Sequence, residues 1–184
     1  MFRSLPLSAI AVPGVIALAA VPLAAQSMQG SAQVEAQLRT ADGLDAGTVT
    51  FEQAEHGVLI VARLKNLGEG AHGFHIHETG TCTPDFKAAG GHYDPVGSEH
   101  GFDNEDGYHV GDLPNVHVGE DGTATSEFHV PQVTLRGPDN GRYPFTLADG
   151  DGSTIMVHAR ADDYRTMASA GDRVACGVIF AERG

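Results

Sequence analysis

The 184-residue sequence predicts an all-β domain. About eight short antiparallel strands are expected to form a sandwich or a barrel, because segments of alternating apolar and polar residues recur along the chain and turns rich in Gly and Asp separate them. The composition agrees, since 24 residues are Gly, none is Trp, and no segment shows a long helical period. A chain of this length can bury one sizeable core.

The first four predicted strands precede the most histidine-rich part of the chain or lead into it. In the first, Val34 and Ala36 alternate with Gln33 and Glu35, which is the pattern of a half-buried strand. The turn sequence ADGLDAG ends this strand, and Gly57 precedes the third. The four segments are residues 32–38, 48–53, 58–64 and 71–77.

Four more strands are predicted in the second half of the chain. Residues 115–118 and 124–130 flank the turn sequence GEDG, which indicates a hairpin. Residues 131–151 contain repeated Gly, Pro and Asn-Gly breaks, so turns are expected there. The last two strands, residues 153–159 and 175–180, are separated by a loop over residues 160–173.

The charge of the chain disfavours two classes of partner. Eleven Lys and Arg stand against 24 Asp and Glu, which gives a formal net charge of −13. Such a surface repels nucleic acid and anionic lipid, so neither is expected to bind.

Residues 1–25 are predicted to be a secretory signal peptide. Arg3 precedes a long apolar run, and the run ends in small residues at Ala24 and Ala25. A membrane anchor is the alternative, because such a run is just long enough to span a bilayer. Three prolines in the run and the lack of a basic stop signal favour export. The mature chain, residues 26–184, is then periplasmic or secreted and makes no stable membrane contact.

Histidines cluster between residues 73 and 112, where five of the ten lie. His75 and His77 are two apart in a predicted strand, so both rings leave on one face while Phe74 and Ile76 point to the core. Imidazole suits copper and zinc, and a carboxylate is an acceptable zinc ligand. The segment offers more ligands than one metal uses, so two neighbouring metals are expected.

The order of several motifs resembles that of the copper/zinc superoxide dismutases. The motifs are GFHIHE, GGH, HVGDLPNV and GDRVACGV, and the match runs over residues 32–181. The resemblance implies an immunoglobulin-like Greek-key sandwich or barrel with long metal-binding and electrostatic loops, occupying residues 26–184. It also implies copper and zinc as the cofactors and superoxide as the substrate.

The resemblance implies a role for each site residue. The four expected copper ligands and the four expected zinc ligands share His92, which would bridge the two metals. Asp162 would connect a copper ligand to a zinc ligand, although the adjacent Asp163 is an alternative from the sequence alone. Arg173 would attract the anionic substrate, and the alternative is a surface arginine paired with Asp172. The copper set is His75, His77, His92 and His158, and the zinc set is His92, His100, His109 and Asp112.

The other histidines have simpler interpretations. His72 lies three residues before His75, so it is expected on the other face, buried and bonded to the backbone. His56, His117 and His129 have no neighbour at ligand spacing and are expected to be ordinary strand or turn residues.

Two cysteines, Cys82 and Cys176, complete the set of predicted site residues. In a reducing compartment they would be free thiols, whereas export favours a disulfide between them. The bridge would fix the start of the ligand-bearing loop to the last strand.

The resulting functional prediction is an enzyme that converts two superoxide ions and two protons to dioxygen and hydrogen peroxide. The first alternative is an exported copper/zinc-binding protein without turnover, which would need neither an open copper position nor Arg173. The second, a zinc hydrolase, would not need His158. The sequence leaves monomer and homodimer open and does not identify the source of copper.

Overall fold

Ten strands and one short 3-10 helix are present in the part of the chain that the structure describes. The computed structural model describes residues 32–137 and 144–183, so the predicted signal peptide over residues 1–25 lies outside the described residues. The elements are β1 (Gln33–Thr40), β2 (Asp45–Ala54), β3 (Gly57–Leu64), β4 (Gly70–His77), the 3-10 helix (Phe86–Ala89), β5 (Asp112–Val118), β6 (Ala124–Val130), β7 (Val133–Thr134), β8 (Phe145–Thr146), β9 (Ser153–His158) and β10 (Arg173–Phe180).

Eight of these strands make one antiparallel sheet in the order β5-β4-β9-β10-β1-β2-β3-β6. The sheet curls into a nearly closed barrel. Among the strands of this sheet, β3 and β4 are consecutive in sequence but far apart in the strand order, and so are β6 and β9. The connections between them therefore cross the ends of the barrel in Greek-key fashion. The predicted all-β fold class is confirmed.

The core consists of the inward positions of these strands. Phe51 and Ile60 are fully buried and lie opposite one another in the β2–β3 pairing. Phe74 and Ile76 of β4 face the same core and are also fully buried. Burying each such side chain stabilises the fold by about 1.5–3 kcal/mol. The alternation in the sequence therefore reflects a real inner and outer face.

The segment after β6 contains more structure than the sequence predicts. Strands β7 and β8 form a small parallel pair. The side-chain oxygen of Gln53, far away on β2, accepts hydrogen bonds from the Thr134 hydroxyl and the Leu135 N–H, both at 2.8 Å. The contacts with Gln53 join residues some 80 positions apart in the chain, and local sequence patterns do not reveal such contacts.

Strand register assembles the functional region. β4 lies between β5 and β9, and His75 is directly opposite Asp112 on one side and Met156 on the other. His158, the last residue of β9, is opposite Arg173, the first residue of β10. Residues far apart in sequence therefore meet at one edge of the barrel.

A disulfide joins Cys82, in the loop after β4, to Cys176 of β10, with a sequence separation of 94 residues. The bridge predicted from the two cysteines is present. It ties the loop that carries the 3-10 helix to the barrel. No helix among the described residues is long and apolar enough to cross a membrane.

We expect the Cys82→Ser/Cys176→Ser variant to lose roughly 4–5 kcal/mol of unfolding free energy, because the bridge restrains a long loop in the unfolded chain. Denaturant unfolding of the metal-free protein measures this without a contribution from metal binding. Reduced wild-type protein is the matched control and should show the same loss. Equal stability of oxidised and reduced protein, with the redox state verified by mass, would contradict the prediction.

Candidate metal centre

Two groups of buried residues converge outside the core, next to β4. In each group the atoms available for metal binding lie within 4.8 Å of one another, and His92 belongs to both. All the histidines and the aspartate in these groups are buried. The groups are His75, His77, His92 and His158, and His92, His100, His109 and Asp112.

Alternation along β4 positions the first two histidines. Phe74 and Ile76 fill the core, so His75 and His77 leave the strand on the opposite face. Neither ring is exposed, because the long loop covers them. His92 returns beside His77 through an isolated antiparallel bridge, and the ring centres of His75 and His92 are 4.0 Å apart. The loop therefore carries its first ligand directly to the strand.

Hydrogen bonds orient three rings of the first group. His75 donates from Nε2 to Asp162 Oδ2 at 2.8 Å. His77 and His158 donate from Nδ1 to the carbonyl oxygens of Gly90 and Gly171, both at 3.1 Å. The opposite nitrogen of each ring is buried and has no hydrogen-bond partner among the described residues. These orphaned lone pairs fit a metal, and imidazole donors suit copper.

The second group is organised around one carboxylate oxygen. The Nδ1 atoms of His92, His100 and His109 lie 2.7, 3.2 and 3.3 Å from Asp112 Oδ1. Zinc bonds of about 2.0–2.1 Å in a tetrahedron place neighbouring ligand atoms about 3.3 Å apart. The other oxygen, Asp112 Oδ2, accepts hydrogen bonds from the main-chain N–H groups of Gly101 and His109 at 2.9 and 3.1 Å. Three nitrogens and one anchored carboxylate fit zinc.

Asp162 connects the two groups. Its Oδ2 lies 2.8 Å from His75 Nε2 and its Oδ1 lies 3.1 Å from His100 Nε2. The neighbouring Asp163 instead accepts hydrogen bonds from main-chain N–H groups within its own exposed loop. Of the two aspartates that the sequence leaves open, the structure brings Asp162 to the histidines.

Arg173 lies beside the first group and is tied to the disulfide-bearing loop. Its guanidinium donates to the carbonyl oxygens of Phe86 and Gly90 at 2.5 and 2.6 Å. The Gly90 oxygen also accepts from His77. Burial lowers the pKa of Arg173 and Asp85 opposes the shift, but an arginine stays charged in either case. The structure does not pair Arg173 with Asp172 in the part it describes.

Burial lowers the pKa of three histidines of the first group. It lowers the pKa of His92 to about 4, against the hydrogen bond with Asp112. It lowers the pKa of His158 to about 3, with help from His75. It also holds the pKa of His77 well below its usual value, with repulsion from His92 and Arg173 adding to the effect. These rings are neutral at neutral pH, which is the form that binds metal.

The carboxylates have the opposite effect on His100. Burial disfavours its charged form, but hydrogen bonds with Asp112 and Asp162 outweigh burial and raise the pKa of His100 to about 9. For the two aspartates, burial alone would raise the pKa. Hydrogen bonds from His100 and His92 to Asp112, and from His75 to Asp162, instead hold both pKa values below the usual range. Without metal, His100 is therefore a buried cation between two carboxylates.

The remaining histidines lie outside both groups. His72 is buried, and its ring nitrogens lie 2.7 and 2.8 Å from the carbonyl oxygens of His158 and Gly68, so the expectation of a backbone-bonded histidine is confirmed. His56, His117 and His129 are exposed.

Sequence reasoning missed a layer of contacts behind the aspartates. The Asn115 side chain brackets the main chain of Asp162, donating to its carbonyl at 3.0 Å and accepting from its N–H at 2.9 Å. Ser169 donates to Asp162 Oδ1 at 2.9 Å. The sequence offers one signal for this layer of contacts. Asn115 begins a predicted strand and follows Asp112 by three residues.

Comparison with known proteins identifies the family. The family model described as copper/zinc superoxide dismutase (SODC) matches residues 45–179. The Cu-Zn superoxide dismutase of Caulobacter vibrioides is 49% identical over 148 residues, which cover 78% of this chain and 83% of that protein. A superoxide dismutase-like protein of Bacillus subtilis is 38% identical over 149 residues, covering 78% of this chain and 74% of that protein.

Solved structures agree with the sequence relatives. The crystal structure of the superoxide dismutase-like protein from Bacillus subtilis aligns with a TM-score of 0.71 at 37% identity, covering 79% of this chain and 97% of that one. The Cu/Zn superoxide dismutase from Brucella abortus aligns with a TM-score of 0.65 at 30% identity, covering 80% of this chain and 99% of that one. With most of its length matched by the family model and by relatives of this similarity, the chain belongs to the copper/zinc superoxide dismutase family.

Proposed function

We propose that the centre disproportionates superoxide, turning two superoxide ions and two protons into dioxygen and hydrogen peroxide. The observation that carries the proposal is the pair of buried ligand groups that share His92. The members of the two groups, with Asp162 and Arg173, are the residues that the family resemblance assigns. A metal-binding protein without turnover, the alternative that the sequence raises, needs no arginine held beside the first group.

The residues divide between holding metal and handling substrate and protons. His75, His77, His92 and His158 would hold copper, whose two oxidation states supply the electron exchange, while the second group would hold zinc, which has no redox chemistry.

His92 would supply a proton. A neutral ring shared by both groups would have to lose its one remaining N–H proton, and two adjacent cations make that loss feasible. His92 would take up a proton at Nε2 and deliver it to the peroxide that forms. Its neutral, buried state in the absence of metal is consistent with this role.

Arg173 would guide the anion to the site. Its guanidinium is held by the carbonyl oxygens of Phe86 and Gly90, so its charge has a fixed position. The chain as a whole is strongly acidic and repels an anion at long range. At about 0.15 M salt the screening length is about 8 Å, which weakens distant acids more than an arginine in contact with the substrate.

We also propose that the protein is exported. The apolar run that ends at Ala25 supports a signal peptide over residues 1–25, with residues 26–184 as the mature enzyme domain. The disulfide between Cys82 and Cys176 supports an oxidising compartment, the periplasm or the exterior.

His92→Ala should lower superoxide turnover by about a hundredfold or more, because a general acid of this kind contributes at least that much. The copper absorption and spin-resonance signals should change as well, since the shared ring is lost. Pulse radiolysis measures the rate. The control is His117→Ala, an exposed histidine outside both groups, which should behave as wild type. Wild-type turnover in His92→Ala would remove this residue from the mechanism.

Turnover should fall as salt rises from low values, because local attraction by Arg173 outweighs the repulsion of the acidic surface. Arg173→Glu should lower the rate and reverse the slope. The control is Arg63→Glu, which makes the same change in net charge on β3, three strands from β10 in the sheet order. The bimolecular rate against ionic strength tests all three proteins. A wild-type rate that climbs with salt would contradict steering by Arg173.

Metal-free protein should be most stable near pH 6.5. Because burial lowers the pKa of His92 to about 4 and of His158 to about 3, the unfolded chain binds more protons between these values and 6.5. Stability should therefore fall with acid, by up to about 1.4 kcal/mol per pH unit for each histidine. His100, with its pKa raised to about 9, has the opposite sign, so its contribution is lost as pH rises from 6.5 to 9.

Denaturant unfolding of chelator-treated protein between pH 4.5 and 9 measures both arms of this profile. The metal-loaded protein is the control, and its alkaline arm should vanish because a zinc-bound His100 carries no extra proton. A metal-free profile that is flat from pH 4.5 to 9 would contradict the prediction.

A further inference from the structure

Tyr164 is a junction between three segments, each of which carries a residue of the metal centre. It lies in the loop after β9, two residues after Asp162. Its main chain and its side chain reach residues within three positions of His100 and Asp112. Its φ of +61° is in the left-handed region, which a bulky non-glycine residue seldom adopts. Several contacts hold it there.

The first contact fixes the bridging carboxylate. The Tyr164 N–H donates to Asp162 Oδ1 at 2.8 Å, and this is the same oxygen that lies 3.1 Å from His100 Nε2. The position of the carboxylate is therefore set in part by the Tyr164 main chain.

The second contact holds the zinc-side loop. The Tyr164 carbonyl accepts a hydrogen bond from the Asp103 N–H at 2.9 Å. The same oxygen packs so closely on Gly101 that a Cβ there would overlap it. The Tyr164 ring packs on Phe102, with ring centres 5.4 Å apart. The three residues that follow His100 thus all rest on Tyr164.

The third contact reaches β5. The phenolic oxygen of Tyr164 accepts a hydrogen bond from the Asn115 N–H at 2.9 Å. Asn115 in turn brackets the Asp162 main chain with its side-chain amide. A closed network therefore joins Asp162, Tyr164 and Asn115, and Asn115 follows Asp112 by three residues on the same strand.

We propose that Tyr164 is a positioning residue for the zinc half of the centre. It holds the Asp162 carboxylate, the loop after His100 and the strand that begins at Asp112 in one arrangement, and so slows the loss of zinc. The inference rests on the zinc set proposed above. It concerns retention and geometry of the metal, since Tyr164 contacts no ligand nitrogen itself.

Tyr164→Phe tests the hydroxyl alone, because it keeps the ring and the main-chain contacts. Tyr164→Gly tests the side chain, because glycine adopts positive φ without cost and keeps the main-chain bonds. Partners that orient metal ligands commonly change metal affinity by 10–100-fold, so zinc should dissociate about tenfold faster from Tyr164→Phe. Tyr164→Gly should lose zinc at least as fast. Transfer of zinc to a chromophoric chelator measures the rate.

Two controls separate positioning from general destabilisation. Tyr108→Phe removes a phenolic hydroxyl from the same aromatic cluster, since Tyr108 also packs on Phe102 at 4.8 Å. Ile60→Val lowers stability in the core of β3, where Ile60 is fully buried. Both controls should release zinc at the wild-type rate. With cobalt in the zinc position, the visible spectrum should change in the Tyr164 variants and stay unchanged in the controls.

The outcomes are distinct. If the wild type binds neither zinc nor cobalt at the second group, the proposed function fails. If the wild type binds both but Tyr164→Phe and Tyr164→Gly keep the wild-type rate and spectrum, the role of Tyr164 is overturned. The same holds if Ile60→Val or Tyr108→Phe accelerates zinc release as much as the Tyr164 variants do.

Discussion

The pairing of β4 with β9 and β5 is the constraint on which the rest of the site depends. One face of β4 supplies Phe74 and Ile76 to the core, and the other supplies His75 and His77. Because side chains alternate strictly along a strand, a slip of one residue would exchange these two sets. Buried aromatic and aliphatic side chains therefore fix the position of the histidines. The stability of the barrel and the geometry of the centre follow from one register.

The two ligand groups differ in how their geometry is fixed. His75, His77 and His158 sit on strands of the barrel, and each ring is oriented by one hydrogen bond. His100 and His109 sit in a loop and depend on the Asp112 carboxylate, which is itself held by main-chain N–H groups. In the proposed assignment, the redox metal would be held mainly from strands. The metal without redox chemistry would instead organise the loop that closes over it.

Much of the fold and the centre could be predicted from the sequence. The alternation of apolar and polar residues predicted the strands, and the two-residue spacing of His75 and His77 predicted that both lie on one face. The resemblance supplied the division of ligands, which spacing alone leaves open. Contacts that depend on three-dimensional packing could not be predicted. The Gln53 bonds to the β7 segment and the Asn115 bracket on Asp162 join residues 47 or more positions apart. Such contacts leave no periodic pattern in the chain.

The carbonyl oxygen of Gly90 accepts from His77 and from Arg173 at once. A ring proposed to hold copper and an arginine proposed to guide the anion thereby share one acceptor, in a loop that the disulfide anchors. A change at either side chain alters the position or polarisation of that oxygen for the other, so their substitutions will not combine additively. Copper binding at His77 and guidance of the anion by Arg173 would therefore be properties that cannot be altered independently of one another.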